Sequence, residues 1–387
     1  MKTNTLLEYK RGNLQKALSR QEPDYVPSIM VNETSGLARL GKRAVDLMLG
    51  DPAAYVDAQT VLFEEMWMDG NVLCGVPFSP LAQKAFPTCE NIFGPDGNTP
   101  EHLQLAPMQK DEYDQLIADP MRFVTEVLLP RKFPTLFTDR EGAKESLKLF
   151  AQDRALSLVK LMGLTNQALA DRYGIVSVTN RAERFEVPLD MIFDYFRGFR
   201  GTLTDLRRQP EKVRAATEAL WEVRCAPKMQ TPMVNPELWA VDMCHIPAYL
   251  SPKQYEELYW PHFKLLLERI AAAGGKAYIN MEGRWSRIWH HFKELPRDCC
   301  ILQVDDDDIF DLYELLGQDQ IITGGIKIAD TRLKSFDAVK DDVKRVIDTC
   351  APGGGFLLDS DKGWIAPGDV NQTLIDIFNF AHEYSKK

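Results

Sequence analysis

Cys300-Ile301-Leu302-Gln303-Val304-Asp305 is an apolar run that stops at a carboxylate, and four similar runs accompany it in the last third of the chain. Leu238-Trp239-Ala240-Val241 leads to Asp242 and His245, and Ala277-Tyr278-Ile279 leads to Asn280 and Glu282. Ile321-Ile322-Thr323 leads to Gly324, Gly325 and Lys327, and Phe356-Leu357-Leu358 leads to Asp359. Amphipathic segments of helical length separate the runs. A buried strand, a polar tip and a helix in repetition predict an α/β fold, a single (β/α)8 TIM barrel. Barrels of this kind carry their chemistry at the C-terminal ends of the strands, so the tips name the candidate site.

Working outward, residues 5–20 read as a helix within an N-terminal addition, residues 1–22. Pro23-Asp24-Tyr25-Val26-Pro27 then leads into a short strand at 28–31, with Pro27 stiffening its entry. The first tip is Asn32-Glu33-Thr34-Ser35-Gly36. A helical stretch at 51–68 ends at Asp69-Gly70. Residues 71–110, rich in Gly, Pro and Asn, read as a long irregular excursion over the barrel mouth. A helix at 146–172 precedes a β-branched strand at 174–178, whose tip is Thr179-Asn180-Arg181. Pro188 stands at a first helical position, and Ser251-Pro252 reads as a capped helix start. No repeat or linker divides the chain, which predicts one domain over 1–387.

Composition narrows the function classes. A net charge of −10 offers no electrostatic footprint for nucleic acid or an anionic membrane. No apolar run approaches the ~18 residues of a membrane span, and the charged N-terminus lacks the apolar core of a signal peptide. Seven cysteines without regular spacing suit a reducing cytoplasm better than a disulfide framework. The expectation is a soluble, cytoplasmic protein. No Gly-rich phosphate loop, CxxC motif or nucleophile elbow is present in the sequence.

Taken together and in order, several segments resemble the uroporphyrinogen decarboxylase superfamily. They are Pro23 to Pro27, Arg197-Gly198-Phe199 with Asp205-Leu206, and Pro210-Glu211-Lys212-Val213. Tyr249-Leu250-Ser251-Pro252 with Tyr259-Trp260-Pro261, Gly324-Gly325-Ile326, and Pro352-Gly353-Gly354-Gly355 before Phe356 complete the set. The resemblance implies a (β/α)8 barrel and either a decarboxylase or a cobamide-dependent methyltransferase. The decarboxylases carry an arginine-rich loop after the first strand, because guanidinium groups match the substrate's carboxylates. Here that slot reads Val31-Asn32-Glu33-Thr34-Ser35-Gly36, without arginine, and Leu358-Asp359-Ser360-Asp361 replaces a late Gly-His-Gly. The coenzyme M branch holds zinc through His-x-Cys, where this chain reads Asn280-Met281-Glu282, and no cysteine follows Phe356.

What remains resembles the methyltransferases of corrinoid-dependent demethylation. These move a methyl group between a small donor, such as a methoxylated aromatic or a methylamine, and the cobalamin of a separate corrinoid protein. The alternatives are methyl transfer from the corrinoid protein to tetrahydrofolate, a uroporphyrinogen-type decarboxylase, and a non-catalytic corrinoid-protein binder. The resemblance is compatible with a homodimer. A leaving aryl oxygen needs a proton or a Lewis acid. Glu282, His245 and Asp305 are the candidate catalytic groups, and Glu282, His245 and Asp359 are the candidate zinc ligands. Gly324, Gly325 and Lys327 are candidate corrinoid contacts, and Glu33, Asn180, Arg181 and Asn280 are candidate substrate contacts.

Each residue also has a plainer reading. Glu282 would pair with Arg284 or Arg287, and His245 would be a core histidine on a backbone carbonyl. Gly324-Gly325 would make a tight turn, and Asp307 and Asp308 would serve a helix N-terminus. Cys244 and His245 should face opposite sides, with Asp242 on the side of Cys244. Trp285 and Trp289 read as packing residues, and His290 and His291 as solvent-facing.

Overall fold

The computed structural model describes residues 3–387. It is a mixed α/β chain, as expected, with two parallel sheets. The three-stranded sheet runs β1 (Ile29–Asn32), β2 (Gly70–Cys74) and β5 (Val176–Ser177). The five-stranded sheet runs in the order β10, β9, β8, β7, β6. Its strands are β6 (Ala240–Cys244), β7 (Ala277–Met281), β8 (Cys300–Val304), β9 (Ile321–Ile326) and β10 (Phe356–Ser360). Parallel bridges join the two sheets at either edge, Ser28 to Leu358 and Thr179 to Trp239. A separate antiparallel hairpin pairs β3 (Asn91–Phe93) with β4 (Pro100–His102).

Successive strand residues point to opposite faces, and the packing follows that alternation. Ile29, Val31, Val72, Val176, Val178, Trp239, Tyr278, Ile301, Ile321 and Leu357 belong to one buried apolar cluster. Their chain neighbours Ala240, Ala277, Ile279, Cys300, Leu302, Ile322, Phe356 and Leu358 belong to a different cluster, which includes residues of the surrounding helices. Helix Thr3–Leu18 adds Leu14, Ala17 and Leu18 to the first cluster. It covers the N-terminal ends of the strands. The Gly355 amide donates to the Ala17 carbonyl at 2.7 Å just before β10. Arg20 bonds Asp298 at 2.7 Å and the Gly317 and Gln320 carbonyls, ahead of β8 and β9.

Residues 71–110 are not the irregular excursion expected. They hold most of β2, helix Pro80–Ala85 and the β3–β4 hairpin. Asp69, expected to end a helix, is instead a fully buried junction ahead of β2. Its carboxylate accepts from the Tyr25 hydroxyl at 2.6 Å, the Ser28 amide at 2.9 Å and the Trp67 indole at 3.2 Å. The helix expected at 51–68 is shorter, Pro52–Thr60 with a 3-10 turn at Val61–Glu64. Among the described residues, no helix is long and apolar enough to cross a membrane.

Candidate functional site

The register that faces the Tyr278 apolar cluster passes into a polar one simply by advancing two residues along a strand. Tyr278 is followed by Asn280 and Glu282, Ile301 by Gln303 and Asp305, and Leu357 by Asp359 and Asp361. On β6 the same step leads from Trp239 and Val241 through Met243 to His245. Cys244 and Asp242 face the other way, as alternation requires, and the Cys244 thiol lies 3.6 Å from the Asp242 carboxylate.

His245 sits between two carboxylates. Its Nδ1 is 2.9 Å from Asp194 Oδ2, and its Nε2 is 3.5 Å from Glu282 Oε1. Asp194 is buried, whereas the Glu282 side chain remains 48% exposed, so Nε2 is the nitrogen on the open side. Burial disfavours charge on the ring, but the hydrogen bonds to Asp194 and Glu282 outweigh it and raise the pKa to about 11. His245 is therefore an imidazolium at neutral pH. Neither arginine considered as a partner for Glu282 takes it: Arg287 instead donates to the Pro247, Ala248 and Leu250 carbonyls.

The turn carrying His245 is held by one apolar helical segment, Pro188–Met191 continuing as Ile192–Phe196. Asp194 reaches the ring. Asp190, one turn earlier, accepts from the Ile246 amide at 2.9 Å and the Tyr259 hydroxyl at 2.6 Å. Burial, reinforced by the charge of Asp194, pushes the Asp190 carboxyl up to about 7. Both aspartates went unassigned in the sequence, although an acidic pair at i and i+4 within an apolar helix was a usable signal. Gly283, at φ +75°, belongs to the same packing: a Cβ there would stand 2.9 Å from Ala248 Cβ. Its freedom serves contact between the β6 and β7 tips rather than approach by a ligand.

The other tips complete an acidic rim. Asp305 accepts from the Gly283 amide at 2.8 Å, and burial raises its pKa to about 6. Asp361 accepts from the Ile328 amide, and burial raises its pKa as well. Glu33 is half-buried, with its carboxyl pushed up to about 7 by desolvation. Asn280 is buried with its carbonyl oxygen unpartnered, which leaves it free to accept from a ligand. Lys327 is exposed and lines a cavity with Asp305, Gly325 and Asp361.

Set beside known proteins, the chain matches no family model and no curated protein.

Several expected site residues hold other positions. Asn180 spends its amide on the Val234 and Asn235 carbonyls and its oxygen on the Ala182 amide, so it braces a loop. Arg181 donates to the Leu158 carbonyl at 2.9 Å. Gly324 and Gly325 have φ of 138° and 105°, and a Cβ on Gly325 would stand 2.8 Å from Val346. That pair lets β9 pass close under a helix.

Asp359 is fully buried, and burial raises its pKa well above the usual range. Tyr278 Oη at 3.4 Å and Gln303 Nε2 at 3.3 Å donate to it, as do the Ser360 amide and hydroxyl. The expected zinc set of Glu282, His245 and Asp359 is thus not assembled. Among the described residues, Glu256, His290 and His291 are the group of three whose ligand atoms lie within 4.8 Å of one another. His291 is buried there, not solvent-facing, while His290 is exposed. Trp285 and Trp289 are buried packing residues, and Asp308 caps its helix by accepting from the Phe310 amide, both as expected. Asp307 binds the Trp285 and Ser286 amides.

Proposed function

We propose that the two parallel sheets close into a single (β/α)8 barrel with N-terminal helical additions, and that its strand ends form a methyl-transfer site. Three observations support closure. Bridges join the sheets at both edges, one apolar cluster draws on every strand of both, and Tyr278 on β7 meets Asp359 on β10 across the interior. In this reading the enzyme moves a methyl group between a small donor and the cobalamin of a separate corrinoid protein. A methoxylated aromatic is the favoured donor, and a methylamine is the other. Transfer to tetrahydrofolate would use the same site with the corrinoid protein as donor.

The observation that carries the reading is the His245 ring clamped between Asp194 and Glu282. When an aryl O–CH3 bond breaks, the methyl passes to the corrinoid co-substrate, and the oxygen keeps the bonding electron pair. That oxygen is a poor leaving group until it gains a proton. His245 Nε2 faces the open side and holds such a proton. Asp194 fixes the ring through Nδ1, as the carboxylate of a catalytic triad does. A phenol of pKa ~10 is close in basicity to His245 at about 11, so the proton moves between nearly matched groups. Phe193, Phe199 and Tyr249 pack on one another, with Tyr249 53% exposed; Phe193 adjoins Asp194 in sequence and Tyr249 follows the His245 turn. They offer stacking for an aromatic donor.

The donor set does not fit zinc at this position. His245 Nδ1 is committed to Asp194, Asp359 is occupied in the interior, and one imidazole with one carboxylate falls short of the usual three protein ligands. The test is conversion of a methoxybenzoate to the hydroxybenzoate by the purified chain with reduced cobalamin or a corrinoid protein. Hydroxybenzoate formation that falls by about 100-fold or more in His245→Gln supports the reading. No demethylation of methoxyaromatics or methylamines, or CO2 release from an acid substrate instead, rejects it.

A further inference from the structure

We propose that Glu256, His290 and His291 form a binding site for a divalent late transition-metal ion, zinc foremost, separate from the strand-end cluster. His291 is the anchor. Its side chain is 8% exposed, and its Nε2 is buried without a hydrogen-bond partner, 3.6 Å from Glu256 Oε1. An orphaned buried ring nitrogen is costly unless something binds it.

The other ring nitrogen explains why Nε2 is available as a donor. His291 Nδ1 lies 3.2 Å from Glu294 Oε1. Glu294 is itself fixed, because its second oxygen accepts from Lys264 Nζ at 2.7 Å and from the Trp260 indole at 3.4 Å. A carboxylate that takes the Nδ1 proton sets the tautomer and turns the Nε2 lone pair outward, which is how metal-binding histidines are commonly oriented. The His290 ring stands beside it, centroids 4.1 Å apart, and the three potential donor atoms fall within 4.8 Å of one another. Two imidazoles and one carboxylate are a zinc set that leaves a coordination position open, and imidazole donors disfavour magnesium and calcium.

The site also has a position that matters. Glu256 lies in Tyr255–Tyr259, after the turn that follows β6, and the histidines lie in Trp289–Glu294, after β7. A bound ion would fasten together the segments that follow the His245 and Glu282 tips.

Zinc titration of the metal-stripped full chain by calorimetry, with cobalt absorption spectra as a second readout, tests the site. One ion per chain is expected. The exposed substitutions His290→Ala and Glu256→Gln should weaken binding at least about tenfold without unfolding the protein, and Glu294→Gln by about 10- to 100-fold. His245→Gln and Glu282→Gln should leave it unchanged. Absence of zinc binding, or binding indifferent to His290→Ala and Glu256→Gln, would overturn the proposal. So would binding lost in His245→Gln and Glu282→Gln, which would move the ion to the strand ends.

Discussion

The lower and upper halves of the strand face that carries Tyr278 share one backbone register and differ in everything else. Below lie Ile29, Val176, Trp239, Tyr278, Ile301, Ile321 and Leu357, sealed by Leu14, Ala17 and Leu18 of the N-terminal helix. Above, the same alternation presents Glu33, His245, Asn280, Glu282, Asp305 and Asp361. Between them lies a layer of Gln303, Thr323 and Asp359, buried and polar, with Tyr278 contributing its hydroxyl from below. The lower tier can be apolar because nothing has to enter it. In the upper tier burial opposes ionisation of Glu33, Asp305 and Asp361, and their raised pKa values record that cost.

This division predicts that substitutions above cost activity and those below cost stability. The largest effect expected is on turnover: His245→Gln should lower the proposed demethylation by about 10²- to 10⁴-fold per folded molecule, and because it leaves the buried Asp194 carboxylate without its partner it should cost stability as well. If His245→Gln unfolds the chain while retaining activity in the folded fraction, His245 belongs to the lower tier in function. Next, Trp239→Ala should cost about 3–5 kcal/mol in denaturant unfolding, as buried aromatic truncations do. A loss under 1 kcal/mol would mean that the apolar tier is not tightly packed.

The layer between the tiers is probed by pH. Asp359 has its folded pKa raised, so stability declines as pH rises above the unfolded aspartate value of ~3.9. Asp359→Asn keeps the shape and removes that loss. The variant should therefore gain on wild type as pH rises from 5 to 8, in urea melts across that window. A gap that stays constant with pH would show that Asp359 is ionised and compensated. The smallest effect is a displaced titration: Glu282→Gln removes one of the two carboxylates facing His245, and the alkaline limb of the pH–rate profile should move to lower pH. An unmoved limb would separate Glu282 from His245.

Those tiers were largely visible in the order of residues, because alternation on a strand is a geometric necessity. Cys300 to Val304 form a strand as read, and the tips at His245, Glu282 and Asp305 do meet. Strand β2 was not visible: Gly70-Asn71 opens it with a flexible and a polar residue, and the preceding Asp69 looked like a helix end. Its burial depends on Tyr25 and Ser28, far away in sequence. Asp194 escaped for a related reason, since it meets His245 across 51 positions and no local spacing records that contact. Asp359 was recognised as a strand-end carboxylate, but its depth depends on Tyr278 and Gln303 from other strands.

A nuclear magnetic resonance titration of the imidazoles measures directly whether His245, held by Asp194 and Glu282, is a cation. The chain has six histidines, and His245→Gln assigns the signal that disappears. Because the folded pKa is raised from 6.5 to about 11, the stability this group contributes is complete below 6.5 and is lost as pH rises through 11. The predicted result is one imidazole that stays protonated past pH 9 and titrates earlier in Glu282→Gln. A His245 signal that titrates near 6.5, unaffected by Glu282→Gln, would contradict it.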